Sequence, residues 1–455
     1  MNIATRFTFL FIAMFSFPSL YASYYAGEIT YQYIGANTIT AVVTTYTRAS
    51  SGASFRDSLP ISWGDGTVEV IARVNGNNLT GDTLPNDMMI NHYVGTHVYT
   101  AVPVSGFAVI SFTDPNRNAN IINIANSVNV PFYIEDTIWF AAQAGNNNGP
   151  VLLYPPVDYA FAGDTFFVNP AAYDIEADSL TFEMAVPLQA AGIIVPGYAG
   201  PSTIPTPNSP NNVISINPLT GEIIWATPQE AGLYDIAILI HEYRFGQILS
   251  TMRRDMLIAV LNDTTAPPHL MGTFTDTVIA PGTALSLPYS ASGDPGYTDS
   301  MSAYSGIFFL SGSNAAFVST PTVQSTSGTL TWTPGPNQYK QIETRIVAVS
   351  DLQECANLHS VINAFRVTVV DTNFTTGLAD IAGTKDIVVY PVPANNILHV
   401  NTALPPGTAI IDMIGREYSA KISDQQIDIS GLTAGIYLLR WQDEGKTIIC
   451  RFIKE

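Results

Sequence analysis

The sequence has little charge, little lysine and almost no cysteine. Charged residues make up 12% of the 455 residues, and only two residues are cysteines. Two cysteines cannot form the disulfide framework of a small secreted domain. Acidic residues outnumber basic residues by 37 to 18, and the net charge of −19 argues against nucleic acid or an anionic membrane surface as a partner. Beyond residue 22 we find no run of about 18 apolar residues, so we expect no transmembrane segment in the mature chain.

Turn-forming and strand-forming residues take the place of the missing charge. The chain contains 33 Gly and 30 Pro, and aromatic residues make up 11% of it. Short stretches of β-branched and aromatic residues between Gly and Pro turns predict an all-β fold of tandem Ig-like β-sandwiches. A chain of this length has room for about three or four such domains.

The N-terminus has the pattern of an export signal. Arg6 precedes the apolar run Phe7–Phe17, and small residues follow near Ala22. This order of a basic, an apolar and a small-residue region predicts a signal peptide over residues 1–22, and therefore Sec export to the periplasm.

The C-terminal part differs from the rest in charge and carries three motifs. Residues 23–379 contain 10 basic and 28 acidic side chains, whereas residues 380–455 contain 7 and 9. The motif residues, in chain order, are Tyr390, Pro391 and Pro393, then Asp412 and Gly415, then Gly431, Leu432, Gly435 and Tyr437, with Lys454 near the end. Together these motifs resemble the type A C-terminal sorting domain of the type IX secretion system of Bacteroidetes.

This resemblance implies that residues 384–455 form a small β-sandwich that acts as a cleavable sorting signal. The implied partners are the type IX secretion machinery and a sortase-like peptidase. The implied location is the cell surface or the medium, reached across the outer membrane.

Two motifs mark the first module after the signal peptide. They are Trp63-Gly64-Asp65-Gly66-Thr67 and Gly95-Thr96-His97-Val98-Tyr99. Glycine tolerates a positive φ in the first motif, and the aspartate can close an Asx turn there. The two motifs resemble the PKD-type Ig-like repeat, which implies a β-sandwich over residues 23–144. The opening of the module and the segment Asp114-Pro115-Asn116-Arg117-Asn118 also resemble the N-terminal region of Bacteroidetes surface proteins associated with gliding motility.

A repeated unit follows the first module. Gly221–Trp225 and Gly328–Trp332 share a Gly-x-x-x-Trp pattern, with Thr-Pro close behind each. The repeat predicts two related sandwiches, at residues 145–265 and 266–371, followed by a linker at 372–383. The first of them resembles cadherin-like repeats. Short Pro/Thr linkers also predict little contact between modules.

The segment 187–218 contains seven prolines and little strand pattern. A loop of this length is often functional, so we treat it as a candidate recognition loop, with a disordered insertion as the alternative.

Three acidic residues form the candidate metal site. Asp174, Glu176 and Asp178 alternate along the chain, so an extended backbone would project all three carboxylates to one side. Calcium prefers oxygen ligands of this kind, which makes it the candidate cofactor. The alternative is an acidic surface turn without an ion. Asp294 and Asp299 offer a weaker counterpart in the second repeat.

The sequence contains no recognisable catalytic motif. His241-Glu242 lacks the second histidine of a zinc-protease helix. Cys355 and Cys450 lie in different predicted domains, and an isolated core residue is the better interpretation of each. We therefore expect a non-enzymatic secreted or cell-surface protein of adhesive or structural type, with a surface glycan or a protein as ligand. The alternative is a carbohydrate-binding accessory protein that acts beside a separate enzyme. An enzyme with a divergent site is a third hypothesis.

Overall fold

A computed structural model gives the fold of the protein. It describes residues 24–35, 37–51, 56–84, 87–140, 146–205, 209–262, 268–293, 298–322, 325–338, 342–352, 358–370, 389–390, 394–400, 403–405, 407–412, 416–418, 421–423, 425–433, 435–443 and 446–454. The predicted signal peptide, the linker 372–383, Pro391, Pro393 and Gly415 lie outside these residues. The chain divides into two compact units, Met1–Val369 and Val370–Glu455.

The first sandwich of the first unit contains eight strands. They are β1 (Tyr24–Gly35), β2 (Thr38–Arg48), β3 (Ser58–Ser62), β4 (Val68–Arg73), β5 (Asp82–Leu84), β6 (Met88–Val98), β7 (Phe107–Asp114) and β8 (Phe132–Trp139). The strands pair in the order β1-β2-β6-β4-β3-β7-β8, and β5 pairs with β6. Alternate residues of these strands point inward and bury a core that includes Trp63, Ile110 and Phe132.

The second sandwich is built on two long strands. Its elements are β9 (Val151–Leu152), β10 (Val157–Phe161), β11 (Phe166–Val168), β12 (Ala172–Tyr173), β13 (Ser179–Ala185), β14 (Leu188–Ala190), β15 (Ile193–Ile194), β16 (Ile214–Ile216), β17 (Ile223–Trp225), β18 (Gly232–Arg244) and β19 (Gln247–Leu261). Strands β13, β18, β19 and β10 form one layer, and β11-β17-β16 and β12-β9 form two small sheets. Trp225 lies in the core of this sandwich.

The third sandwich has two sheets of four strands. The strands are β20 (His269–Gly272), β21 (Thr277–Ile279), β22 (Leu285–Ser292), β23 (Thr298–Tyr304), β24 (Ala316–Thr322), β25 (Ser325–Trp332), β26 (Ile342–Leu352) and β27 (Leu358–Val369). The sheets run β20-β22-β25-β24 and β21-β27-β26-β23. Trp332 is buried between them, so each of the two repeated Gly-x-x-x-Trp units supplies a core tryptophan.

The second unit is a smaller sandwich of two sheets. Its strands are β28 (Val389–Tyr390), β29 (Ile397–Val400), β30 (Ala409–Asp412), β31 (Glu417–Tyr418), β32 (Lys421–Ser423), β33 (Gln426–Asp428), β34 (Gly435–Asp443) and β35 (Lys446–Lys454). The sheets run β28-β29-β33-β32 and β31-β30-β34-β35 around a core with Leu398, Leu439 and Trp441.

The fold is therefore the all-β series of Ig-like sandwiches that the sequence predicts, ending in a small sandwich. The described residues contain strands and short 3-10 turns, and no α-helix. The 3-10 turns are Asn77–Leu79, Ser127–Asn129, Pro201–Thr203, Gly306–Phe308 and Pro336–Gln338. The module boundaries near 144, 265 and 371 stay predictions.

The predicted turn after Trp63 is confirmed. Thr67 donates a hydrogen bond from its backbone N–H to Asp65 Oδ1 at 3.0 Å, and Gly64 and Gly66 have φ of 80° and 96°. His97 contacts Asp65 Oδ2 through Nε2 at 2.8 Å and stacks on the Trp63 ring. Burial opposes the charge of Asp65, but the bonds with Thr67 and His97 lower its pKa to about 2.

The expectation of little contact between modules is wrong for the first and second sandwiches. Strand β19 pairs with β8 over Ser250–Arg253, with β1 at Asp255 and with β10 from Leu257 onward, while β18 covers its other edge. It therefore pairs with both edge strands of the first sandwich, and sheets gain stability when exposed edges are paired. The short linkers gave no indication of this contact between sandwiches, because strand pairing depends on residues that are far apart in sequence.

Buried ion pairs join the same two sandwiches. Arg117 of the first sandwich is 1% exposed and places Nη1 2.5 Å from Asp235 Oδ2 and Nη2 2.8 Å from Asp255 Oδ2. Burial opposes the charge of Arg117, but the two aspartates outweigh it and raise the pKa of the guanidinium. A second buried pair places Arg254 Nε 2.7 Å from Glu28 Oε2. The junction is thus fixed by charges that have no access to water.

The substitution Arg117→Met tests this junction. It leaves two carboxylates buried without their cation, so we expect the first unit to lose about 3–5 kcal/mol of unfolding free energy. Arg48→Met is the control. Arg48 is half exposed, and losing its contacts with Asp87 at 3.8 Å and Tyr25 Oη at 2.8 Å leaves no buried charge, so this variant should lose only about 1 kcal/mol. Urea unfolding of the full chain followed by tryptophan fluorescence measures both. Equal midpoints for the two variants would contradict the role given to Arg117.

Candidate functional site

The segment Asp174–Asp178, here called the acidic turn, connects β12 to β13. Its three acidic side chains each place a carboxylate oxygen within 4.8 Å of the others. The prediction of an extended backbone in this segment is wrong. Ala177 has a φ of 65°, and the N–H of Asp178 donates to Asp174 Oδ1 at 2.8 Å, so a turn brings the carboxylates together.

Each acidic side chain of the turn has a different environment. Asp174 is 4% exposed. Asp178 pairs with Arg244 at the end of β18, with Nε 2.9 Å from Oδ1 and Nη2 2.5 Å from Oδ2. Glu176 lies at the surface with its carboxylate partly covered, and it accepts a hydrogen bond from Asn148. Partial burial and the neighbouring Asp174 raise the pKa of Glu176 to about 7. Of the three carboxylates, that of Asp178 is therefore neutralised by a fixed cation, the guanidinium of Arg244.

A fourth carboxylate, Glu242 of β18, completes the cluster. Glu242 is 0% exposed, and its Oε2 accepts from Asn147 Nδ2 at 2.8 Å. Its carboxyl group lies within hydrogen-bond reach of Asp174, yet Glu242 Oε1 and Asp174 Oδ2 have no donor. Burial and the proximity of Asp174 raise the pKa of Glu242.

Sequence reasoning missed Glu242. We considered His241-Glu242 only as half of a zinc-protease motif. The signal was present in the strand alternation, because Ile238, Ile240 and Glu242 lie on one face and the two isoleucines are buried. A carboxylate in register with two core isoleucines indicates a buried acidic group.

Asn147 and Asn148 belong to the segment that joins β8 to β9, here called the connector, and they contact the acidic turn and Glu242. Asn147 donates to Tyr31 Oη of β1 at 3.0 Å as well as to Glu242, and its Oδ1 accepts from Arg244 Nη2 at 2.9 Å. Asn148 Oδ1 accepts from the N–H of Tyr33 at 2.9 Å. The connector is therefore hydrogen-bonded to both sandwiches beside the acidic turn.

The Pro-rich segment 187–218 packs on the first sandwich. Leu188 pairs with Tyr133 of β8, and the carbonyl oxygen of Leu188 accepts from Arg117 Nη2 at 2.8 Å. Val195 is buried, and Ile193 and Ile194 are exposed at the end of the β14–β15 hairpin. A disordered insertion does not fit the described residues of this segment. Its role in recognition stays a prediction.

The predicted sorting residues that the structure describes belong to the smaller sandwich. Tyr437 is 4% exposed and donates from Oη to the carbonyl oxygen of Thr433 at 3.0 Å. Leu432 is 9% exposed, whereas Tyr390 is half exposed and stacks on His399. Gly431 precedes Leu432 in the turn before β34, Gly435 begins β34 and pairs with Lys454 of β35, and Asp412 ends β30.

The C-terminal residues match a known family. Residues 388–455 match the family model described as "Secretion system C-terminal sorting domain". This bears out the predicted type IX sorting domain, and with it export across the outer membrane to a secreted or cell-surface location. No helix in the described part of the chain is long and apolar enough to cross a membrane.

The chain also shows weak likeness to solved structures, at low sequence identity and low TM-score. No curated protein matches the sequence. The zebrafish RET cadherin-like domains 1 to 4 are 7% identical, with 88% of this chain and 94% of that chain covered and a TM-score of 0.19. Tandem Ig repeats of Dlar are 14% identical, covering 48% and 97%, at a TM-score of 0.20. The E. coli chaperone DraB is 18% identical, covering 41% and 98%, at a TM-score of 0.18.

The substitution Asn147→Ala tests the connector. It removes the donor to the buried Glu242 and the donor to Tyr31, so we expect a loss of about 1–3 kcal/mol in the unfolding free energy of the first unit. Asn129→Ala is the control, because the Asn129 amide donates only to Asn126 at an exposed position. Urea midpoints of the full-length variants give the comparison. If both variants match the unsubstituted chain, the connector is not held by Asn147.

Proposed function

We propose that this chain, which ends in a type IX sorting domain, is a non-enzymatic surface or secreted protein of adhesive or structural type. The observation that carries the proposal is the pairing of β19 with both edge strands of the first sandwich, which joins two sandwiches into one body. Ig-like sandwiches act as scaffolds whose loops and faces present binding surface. In this proposal the sorting domain directs the joined sandwiches out of the cell, and the sandwiches bind the partner there.

The exported body offers an apolar surface for such contacts. Val68 and Val70 of β4 are 66% and 72% exposed, and Val98 of the neighbouring strand β6 is 53% exposed. Exposed apolar residues close together on one strand favour a protein interaction site. The acidic, lysine-poor composition favours neutral glycans or proteins as partners over anionic surfaces.

The carbohydrate-binding alternative has less support. Its binding face would need exposed aromatic rings aligned on one sheet. Within the described residues the exposed aromatic side chains are Phe245, Phe309 and Tyr390, which lie in three separate elements. Association with gliding motility and attachment after cleavage both stay predictions.

Export and processing can be tested in the host. Deletion of residues 388–455 should leave the chain in the periplasm, because the deleted segment is the sorting domain. The intact chain recovered from the cell surface or medium should have lost about one domain of mass from its C-terminus. A reporter protein fused to residues 371–455 serves as the positive control for sorting. A full-length chain found outside the cell would contradict cleavage, and normal export of the deletion variant would contradict sorting.

Adhesion can be tested with charge placed on the exposed strand. Val70→Lys should reduce the attachment of beads coated with the mature protein to host cells, because burying a lysine in an apolar contact is unfavourable. Val318→Lys is the matched control, since Val318 is 68% exposed on β24 of the third sandwich. Attachment that neither variant changes would exclude β4 as the contact surface. No attachment to cells or to an array of neutral glycans would contradict an adhesive role.

A further inference from the structure

We propose that the acidic turn and Glu242 together form a calcium site. Two of its oxygens, Asp174 Oδ2 and Glu242 Oε1, are buried and lack any donor. Buried polar atoms in proteins almost always have a partner, so two adjacent carboxylate oxygens with no donor from another group require either a shared proton or a cation between them. Asp174 belongs to the turn before β13 and Glu242 to β18, so the two oxygens meet only in the folded chain.

The charge balance of the cluster favours a divalent ion. The carboxylates of Asp174, Glu176 and Asp178 lie close together, Glu242 lies beside Asp174, and the guanidinium of Arg244 pairs with Asp178. Like charges this close in a partly buried site repel one another strongly. A shared proton between Asp174 and Glu242 would neutralise one charge. A divalent cation would neutralise two and bind several oxygens at once.

The ligand chemistry favours calcium over other ions. The cluster offers carboxylate oxygens and no histidine or cysteine, which disfavours zinc and copper. Calcium accepts six to eight oxygens in irregular geometry, whereas magnesium requires a near-ideal octahedron. Asp174, Glu242 and Glu176 would bind directly, Asp178 would share its charge between the ion and Arg244, and solvent would complete the shell.

An ion at this position would act on the junction between the two sandwiches. Asn147 bonds Glu242 on one side and Tyr31 of the first sandwich on the other. Asn148 bonds Glu176 and the backbone of Tyr33. Fixing the two glutamates therefore also fixes the connector, so calcium should stabilise the first unit as a whole.

Calorimetry and thermal unfolding test the site in the chain expressed without residues 1–22. We expect one calcium per chain at this site and a rise in the first unit's unfolding midpoint with millimolar calcium, exceeding the rise with magnesium. Glu242→Gln and Asp174→Asn should each weaken calcium binding by about 10–100-fold. Asp164→Asn is the matched control, because Asp164 is exposed in a turn of the same sandwich, and it should bind calcium like the unsubstituted chain.

The metal-free protein supplies an independent readout. The amide of Glu242→Gln can donate to Asp174 Oδ2, so this variant should have a higher unfolding midpoint than the unsubstituted chain in chelator. It should also lose the calcium-dependent rise. Three results would overturn the site: no heat and no shift with millimolar calcium, calcium binding that Glu242→Gln leaves intact, or an equal loss of binding in Asp164→Asn. A midpoint that responds to falling pH and not to calcium would assign the pair a shared proton.

Discussion

The buried guanidinium of Arg117 is the constraint on which the first unit depends. A charge with no access to water is tolerated only among opposite charges, and here they come from Asp235 and Asp255 on neighbouring strands of the second sandwich. This requirement fixes the position of β18 and β19 against the first sandwich. Once these strands are fixed, Glu242 at the far end of β18 lies beside the connector and the acidic turn.

Local features of the sequence predicted most elements of the fold. Alternating strands, the turn at Asp65 and the two Gly-x-x-x-Trp units all occur as predicted, because each depends on residues close together in the chain. The partners of β19 could not be predicted in this way. Its residues from Arg254 to Val260 are buried on both faces and include two charged residues, so they follow neither the alternation of a half-exposed strand nor the apolar run of a buried one.

The acidic site was predicted in composition but not in geometry. The sequence identified Asp174, Glu176 and Asp178, and an extended backbone was the simplest way to bring them to one side. In the structure these residues form a turn in which Ala177 has a positive φ. That conformation is uncommon for residues other than glycine, so an alanine in the sequence gives no indication of it. Glu242 follows Asp178 by more than sixty residues, so only the pairing of β13 with β18 brings it to the turn.

The shared strand β19 also sets an order of events during export. A chain exported by the Sec route that its N-terminus predicts leaves the cytoplasm N-terminus first. The first sandwich then has unpaired edges at β1 and β8 until Gln247–Leu261 follows. Unpaired strand edges in an incomplete domain are prone to wrong association. The first sandwich therefore stays incomplete in the periplasm until β19 has been exported. The first two sandwiches then complete their folding together rather than one after the other.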